Sequence, residues 1–133
     1  MKKILYLGIV LMFASCGANE SESESSTVNF ARSEVSTIKI DNLEVMTEDL
    51  ERTYTWDDAM KACADLGDGW RLPTKDELNL LYENRGRIGG FAPSFYWSST
   101  EAGHNYVWKQ NFYNGFQGLN FSGTHYVRAV RAF

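Results

Sequence analysis

The order of signals along the chain predicts an α+β fold. An alternating apolar segment comes first, two capped amphipathic helices follow, and an aromatic-rich, turn-rich half closes the sequence. Ser36 to Val45 carries Ile38 and Ile40 at period two and reads as a strand. Asp41-Asn42 breaks it as a turn, so Leu43-Glu44-Val45 starts a second short strand. Thr55 opens the first helix, with an N-cap hydroxyl three residues before the Asp58 carboxylate. Ala59, Met60, Cys63, Ala64 and Leu66 then fall at helical spacing, and Gly67 ends the run. Asp57 and Asp58 complement the positive end of the helix dipole, a reading preferred to an acid–base role.

Gly69-Trp70-Arg71-Leu72-Pro73 is a connector. Pro73 cannot extend the first helix and holds Leu72 extended. Thr74-Lys75-Asp76-Glu77 is a full capping box for the second helix, and Leu78, Leu81 and Tyr82 give its apolar stripe. Trp70 is expected in the core and Arg71 as a structural cation. Beyond Gly86 most of the aromatic residues crowd into 91–133, interleaved with Gly, Asn and Ser. Phe95-Tyr96-Trp97, Tyr106–Phe112 and Tyr126–Phe133 read as strands, Asn114-Gly115 as a tight hairpin turn, and Ser122-Gly123-Thr124 as another turn.

The 133 residues suit one folded domain, 36–133, behind an N-terminal address. In residues 1–15 Lys2 and Lys3 precede an apolar run from Ile4 to Phe13. That run is too short for a membrane-spanning helix of ~20 residues and fits a secretory leader. Phe13-Ala14-Ser15-Cys16 resembles a bacterial lipobox with Phe13 in the usual Leu position, which implies cleavage before Cys16 and its lipidation. Residues 16–35 then form an acidic tether, because GANESESESST holds no large apolar side chain to bury. The expected home is the bacterial cell envelope, as an outer-membrane lipoprotein facing periplasm or cell surface. Seventeen acidic against 13 basic residues give a net charge of -4, which argues against nucleic acid as a partner.

Only Cys16 and Cys63 are present, and with two histidines, His104 and His125, they make no zinc signature. Cys63 falls on the apolar side of its helix and is expected as a buried free thiol. No metal, cofactor or catalytic residue is expected.

Several stretches together resemble a known family. Trp56-Asp57-Asp58-Ala59, Gly69 to Thr74, Glu77-Leu78 and Tyr96-Trp97-Ser98-Ser99-Thr100 come in that order. Val107-Trp108, Asn111-Phe112 and Tyr126 to Arg131 continue it. The chain resembles the C-terminal domain family of the Legionella collagen-like protein, and Ile38 to Leu50 looks like the related Fibrobacter major-paralogue domain. The resemblance implies a C-type-lectin-like fold, two helices packed on a twisted, mainly antiparallel sheet. It implies an extracytoplasmic domain with no established enzyme activity. Many members carry a Cys where Ala129 stands, the natural partner for Cys63. The calcium motif of sugar-binding C-type lectins and the paired cysteines of formylglycine-generating enzymes, which share the broader fold, are both missing.

Trp97 and Trp108 are expected to pack in the core, Ser98-Ser99-Thr100-Glu101 to serve a strand-end turn, and Arg128 and Arg131 to form sheet-edge ion pairs. The candidate ligand-binding residues are Lys109, Asn111, Tyr113, Asn114, Gln117, Asn120 and His125, which mix an aromatic face, amides and a cation near hairpin tips. The expected function is that of a lipid-anchored binding or adhesion module for a glycan, matrix polymer or protein. The alternatives are a structural subunit of an envelope complex and, on the formylglycine-enzyme-like fold, an enzyme.

Overall fold

A computed structural model describes residues 34–133. The leader, Cys16 and all but the end of the tether lie outside the described residues. Val35–Phe133 forms one compact unit.

The first sheet is built by β1 (Thr37–Ile40), β2 (Leu43–Met46) and β6 (Val130–Ala132), in the order β1-β2-β6, all antiparallel. Asp41 takes a positive φ of 53° in the tight β1–β2 turn, which an Asp tolerates. The second sheet is β3 (Phe95–Gly103), β4 (Tyr106–Asn111) and β5 (Gln117–Asn120), in the order β3-β4-β5. Among the described residues three helices accompany them: α1 (Trp56–Asp65), α2 (Lys75–Glu83) and the short α3 (Arg85–Ile88). The architecture is α+β, with two three-stranded sheets and a third helix in place of the single sheet and two helices expected. The extra turn of helix forms where Ile88 is buried and its N–H reaches the Asn84 carbonyl.

Both predicted caps are present. Thr55 Oγ1 accepts from the Asp58 N–H at 3.2 Å. Thr74 Oγ1 accepts from the Glu77 N–H at 3.1 Å, while Glu77 Oε1 accepts from the Thr74 N–H at 2.9 Å. Arg71 grips the same Glu77 carboxylate with both guanidinium nitrogens, at 2.7 and 3.1 Å, so it is the structural cation expected. Burial works against the Glu77 charge, but Arg71 and Thr74 together hold its carboxyl below the ordinary value.

Two apolar clusters hold the unit together. One joins Ala59 and Cys63 of α1 to Trp70, Trp97, Val107 and Ala129. The other joins Leu78 and Leu81 of α2 to β1, β2 and β6, and to Tyr96 and Phe112. The second sheet thus meets α1 with the Trp97–Val107 face and α2 with the Tyr96 face, as the side-chain alternation of strands requires. Cys63 is the buried thiol expected, in the same cluster as Ala129, and burial pushes its pKa up to about 12.

Several boundaries differ from the expectation. Only Val130–Ala132 of the expected last strand is regular. Residues 125–129 are spent on cross-links: Tyr126 bridges Tyr96 in parallel, His125 bridges Tyr54, and Ala129 O accepts from Met46 N. Arg128 therefore precedes β6 and is fully buried rather than at a sheet edge. Its Nε donates to Asp49 Oδ1 at 2.9 Å, its Nη1 to the Met46 and Gly89 carbonyls, and its guanidinium lies over the Phe91 ring. Arg131 does make the expected pair, with Glu44 at 2.9 Å on the neighbouring β2.

Ser98 to Glu101 lies inside β3, not at its end, where the β3–β4 register shifts between Trp97 and Glu101. The extra chain of this bulge turns polar groups inward. Ser98 Oγ donates to Trp108 O, Ser99 N donates to Pro73 O, and Thr100 Oγ1 accepts from Lys75 N. The Asn114-Gly115 turn is also not the two-residue hairpin predicted. Gln110 pairs with Gln117 and Asn111 N donates to Phe116 O, which leaves a longer loop in which Gly115 alone has positive φ. A Cβ on Gly115 would sit 2.7 Å from the Tyr82 ring, so α2 clamps this loop. The two-residue turn occurs instead at His104-Asn105, both at positive φ between the paired Gly103 and Tyr106.

Candidate functional site

The face of the second sheet that meets α1 runs on past the helix and opens into a cleft of about 460 Å³. Its position follows from α1's cap. Thr55 fixes where the helix begins, and the first turn then presents Trp56 and Asp57 to the cleft. From the opposite side β3 contributes Trp97 and Glu101, and β4 contributes Val107. Asn105 of the β3–β4 turn and the Phe121-Ser122-Gly123 bend close the ends.

Both indole N–H groups are already engaged. Trp56 Nε1 donates to Ser98 O at 2.9 Å and Trp97 Nε1 to Tyr54 O at 2.6 Å. The rings are thereby fixed and carry apolar π surface instead of free donors. Trp97 is a buried floor, while Phe121 is 64% exposed and packs edge-on against Tyr106. Asp57 and Glu101 are exposed and belong to none of the four ion pairs among the described residues.

Next to the cleft the same face carries a second group of polar and aromatic side chains. His125 meets the edge of Trp97 at 4.5 Å between ring centroids, and Asn120 Nδ2 lies 2.8 Å from His125 Nε2. Lys109 Nζ sits 3.8 Å from the Phe95 ring centroid, and Lys109 pairs across the strands with Gly118, which the ring of the exposed Phe116 covers. A Cβ at Gly118 would come within 2.7 Å of that ring, so the glycine is what lets Phe116 lie flat on the strand. Burial, aided by the Lys109 charge, pushes the His125 pKa down to about 4, and burial lowers that of Lys109. His125 is therefore neutral at physiological pH, and in the tautomer with Nε2 unprotonated it accepts from Asn120.

Of the seven residues picked from sequence, Lys109, Asn120 and His125 come together here. Gln117 turns to the other face, where its amide donates to Lys75 O and Gln110 Oε1. Asn111 and Asn114 hold the hairpin loop, their carboxamide oxygens accepting from Tyr113 N and Phe116 N. Tyr113 projects from that loop at 75% exposure. Trp108 is half-buried beneath the Lys75 ammonium, not part of either core cluster. The sequence reading missed Trp56, Asp57, Glu101, Asn105 and Phe121 as one group. They come from four separate segments, and the only local signal was a pair of residues, His104-Asn105, able to take positive φ.

Among the described residues no three His, Cys, Asp or Glu side chains are grouped to hold a metal ion, and no helix is long and apolar enough to cross a membrane. Fold and site together define an α+β domain with an aromatic, partly acidic cleft on the face of its second sheet. The chain matches the family model of the Lcl C-terminal domain over residues 41–131 and belongs to that family, the one its residue order resembles. No curated protein matches the chain closely enough to count as a relative.

Proposed function

We propose that the protein is a lipid-anchored binding module of the bacterial cell envelope. It holds a glycan, a matrix polymer or a protein against the second sheet and its hairpin loops, and it performs no catalysis. The observation that carries this reading is a set of exposed aromatic side chains in the loops at the two ends of β5, of which Phe121 lines the cleft. Tyr113, Phe116 and Phe121 stand 75%, 60% and 64% exposed on a stretch, 110–127, without an Asp, Glu, Lys or Arg. Apolar side chains held in water on loops flanking a sheet strand mark a contact surface. Membership of the Lcl C-terminal domain family supports an extracellular-type domain. A C-type-lectin-like arrangement, anchoring through Cys16 and an outer-membrane position complete the proposal, with nucleic acid and cofactors playing no part.

The test is retention of the full chain, in detergent, on a panel of immobilised polysaccharides and matrix proteins. Wild type is compared with Tyr113→Ser, Phe116→Ser and Phe121→Ser combined. The expected result is retention on at least one surface and its loss in the variant at unchanged melting temperature. Equal retention by both proteins rejects this face as the site. A second reading, a structural subunit of an envelope complex, draws on Leu119 and Phe121 along the uncharged β5 edge, and a stoichiometric envelope protein co-purifying with wild type but not with the variant would select it.

A further inference from the structure

We infer that the cleft beside the start of α1 receives an organic ammonium group, such as a lysine side chain or an amino sugar. The inference rests on reading the cleft as part of the ligand-binding face and names the chemistry it selects. Two carboxylates, Asp57 from α1 and Glu101 from β3, line one cleft from opposite sides. Neither has a cation or a side-chain hydrogen bond among the described residues, where the ion pairs use Asp49, Asp65, Glu77 and Glu44. No Lys or Arg lines the cleft. At the start of α1, Thr55 Oγ1 takes the Asp58 N–H, and Asp57 and Asp58 place two carboxylates in that first turn. What remains is negative charge between aromatic walls.

An ammonium group satisfies both parts of that wall. Its charge pairs with either carboxylate, and it is drawn to the faces of aromatic rings. Trp56, its N–H committed to Ser98 O, and Phe121 are the aromatic side chains that line the cleft beside the buried Trp97. Asn105 and Ser122 supply amide and hydroxyl groups for the uncharged remainder of a ligand. A volume of about 460 Å³ accommodates one sugar unit or one side chain with its adjoining backbone. A carboxylated or sulfated ligand would meet two like charges there and is disfavoured in this cleft.

Calorimetric titration of the full chain in detergent tests this with two matched pairs. They are Nα-acetyl-lysine methylamide against its Nε-acetylated form, and glucosamine against N-acetylglucosamine. At least one cationic member is expected to bind roughly tenfold more tightly than its acetylated partner. Asp57→Asn combined with Glu101→Gln is expected to erase that preference with the fold intact and only a small drop in melting temperature, since both side chains are exposed and Asp57 stands in the first turn of α1. The preference is also expected to shrink as salt is raised. The pair that responds identifies the source, peptide or sugar. Equal binding of the acetylated members overturns the ammonium assignment while leaving the cleft a ligand site. Failure of all four probes also overturns it, whereas the wider binding face stands or falls on the Tyr113, Phe116 and Phe121 variant.

Discussion

His125 shows how one side chain ties folding to the site. Its ring fills the space between Trp97, Phe95 and Lys109, where a second positive charge is poorly placed. The folded pKa, about 4, lies below the ordinary value of 6.5. Between those values the unfolded chain binds more protons, so stability is full above the window and falls as pH drops through it. Glu44 and Glu77, both held below the ordinary 4.5, begin to lose their contribution only under that value. Asp49, whose pKa burial raises above the ordinary 3.8, contributes with the opposite sign, so His125 is read from the difference between wild type and a His125 variant in thermal unfolding between pH 6.5 and 4.5. After discounting for solvent screening of a partly exposed ring, the loss is expected at about 1–2 kcal/mol. His125→Asn is expected to flatten the profile there, and equal slopes for both proteins would remove His125 as the cause.

At the scale of elements, the helices were the most legible part of the sequence. Their caps are local chemistry, with an acceptor and a donor three residues apart, and no distant contact is needed to recognise them. Thr74→Ala is expected to cost about 1 kcal/mol in urea unfolding. Glu77→Ala should cost more, because it removes both the carboxylate that caps Thr74 N and the anchor of Arg71. A smaller loss for Glu77→Ala than for Thr74→Ala would contradict the shared role. The strands were legible as apolar runs, but their pairings were not. Ser98 to Thr100 looks polar enough to end β3, yet Trp108 O, Pro73 O and Lys75 N take up those polar groups from distant parts of the chain. Arg128 looked like an edge cation for the same reason. The groups that bury it, Asp49, Gly89 and Phe91, are remote in sequence. Asn114-Gly115 carries the composition of a two-residue turn, but Tyr82 packed against Gly115 holds a wider loop.

For the whole molecule, the candidate site was half legible. Lys109, Asn120 and His125 share one face because strand and bend bring them there, and their residue types invited the choice. The cleft residues escaped because α1, β3, the β3–β4 turn and the bend after β5 each supply one or two of them. Only the packing of α1 on the second sheet assembles the set. The proposed anchor belongs to this scale too. Mass spectrometry of the protein from its native membrane is expected to find a chain beginning at an acylated Cys16, and an intact leader or an unmodified Cys16 would remove the anchor.

The central claim is that ligand meets the α1-facing side of the second sheet. Amide-resolved hydrogen exchange of the full chain, with and without the most strongly retained polymer from the immobilised panel, tests it most directly. The account predicts new protection at 55–57, 105–109 and 116–123, with β1 and β2 unchanged. Protection confined to β1, β2 or the outer side of α2 would contradict it.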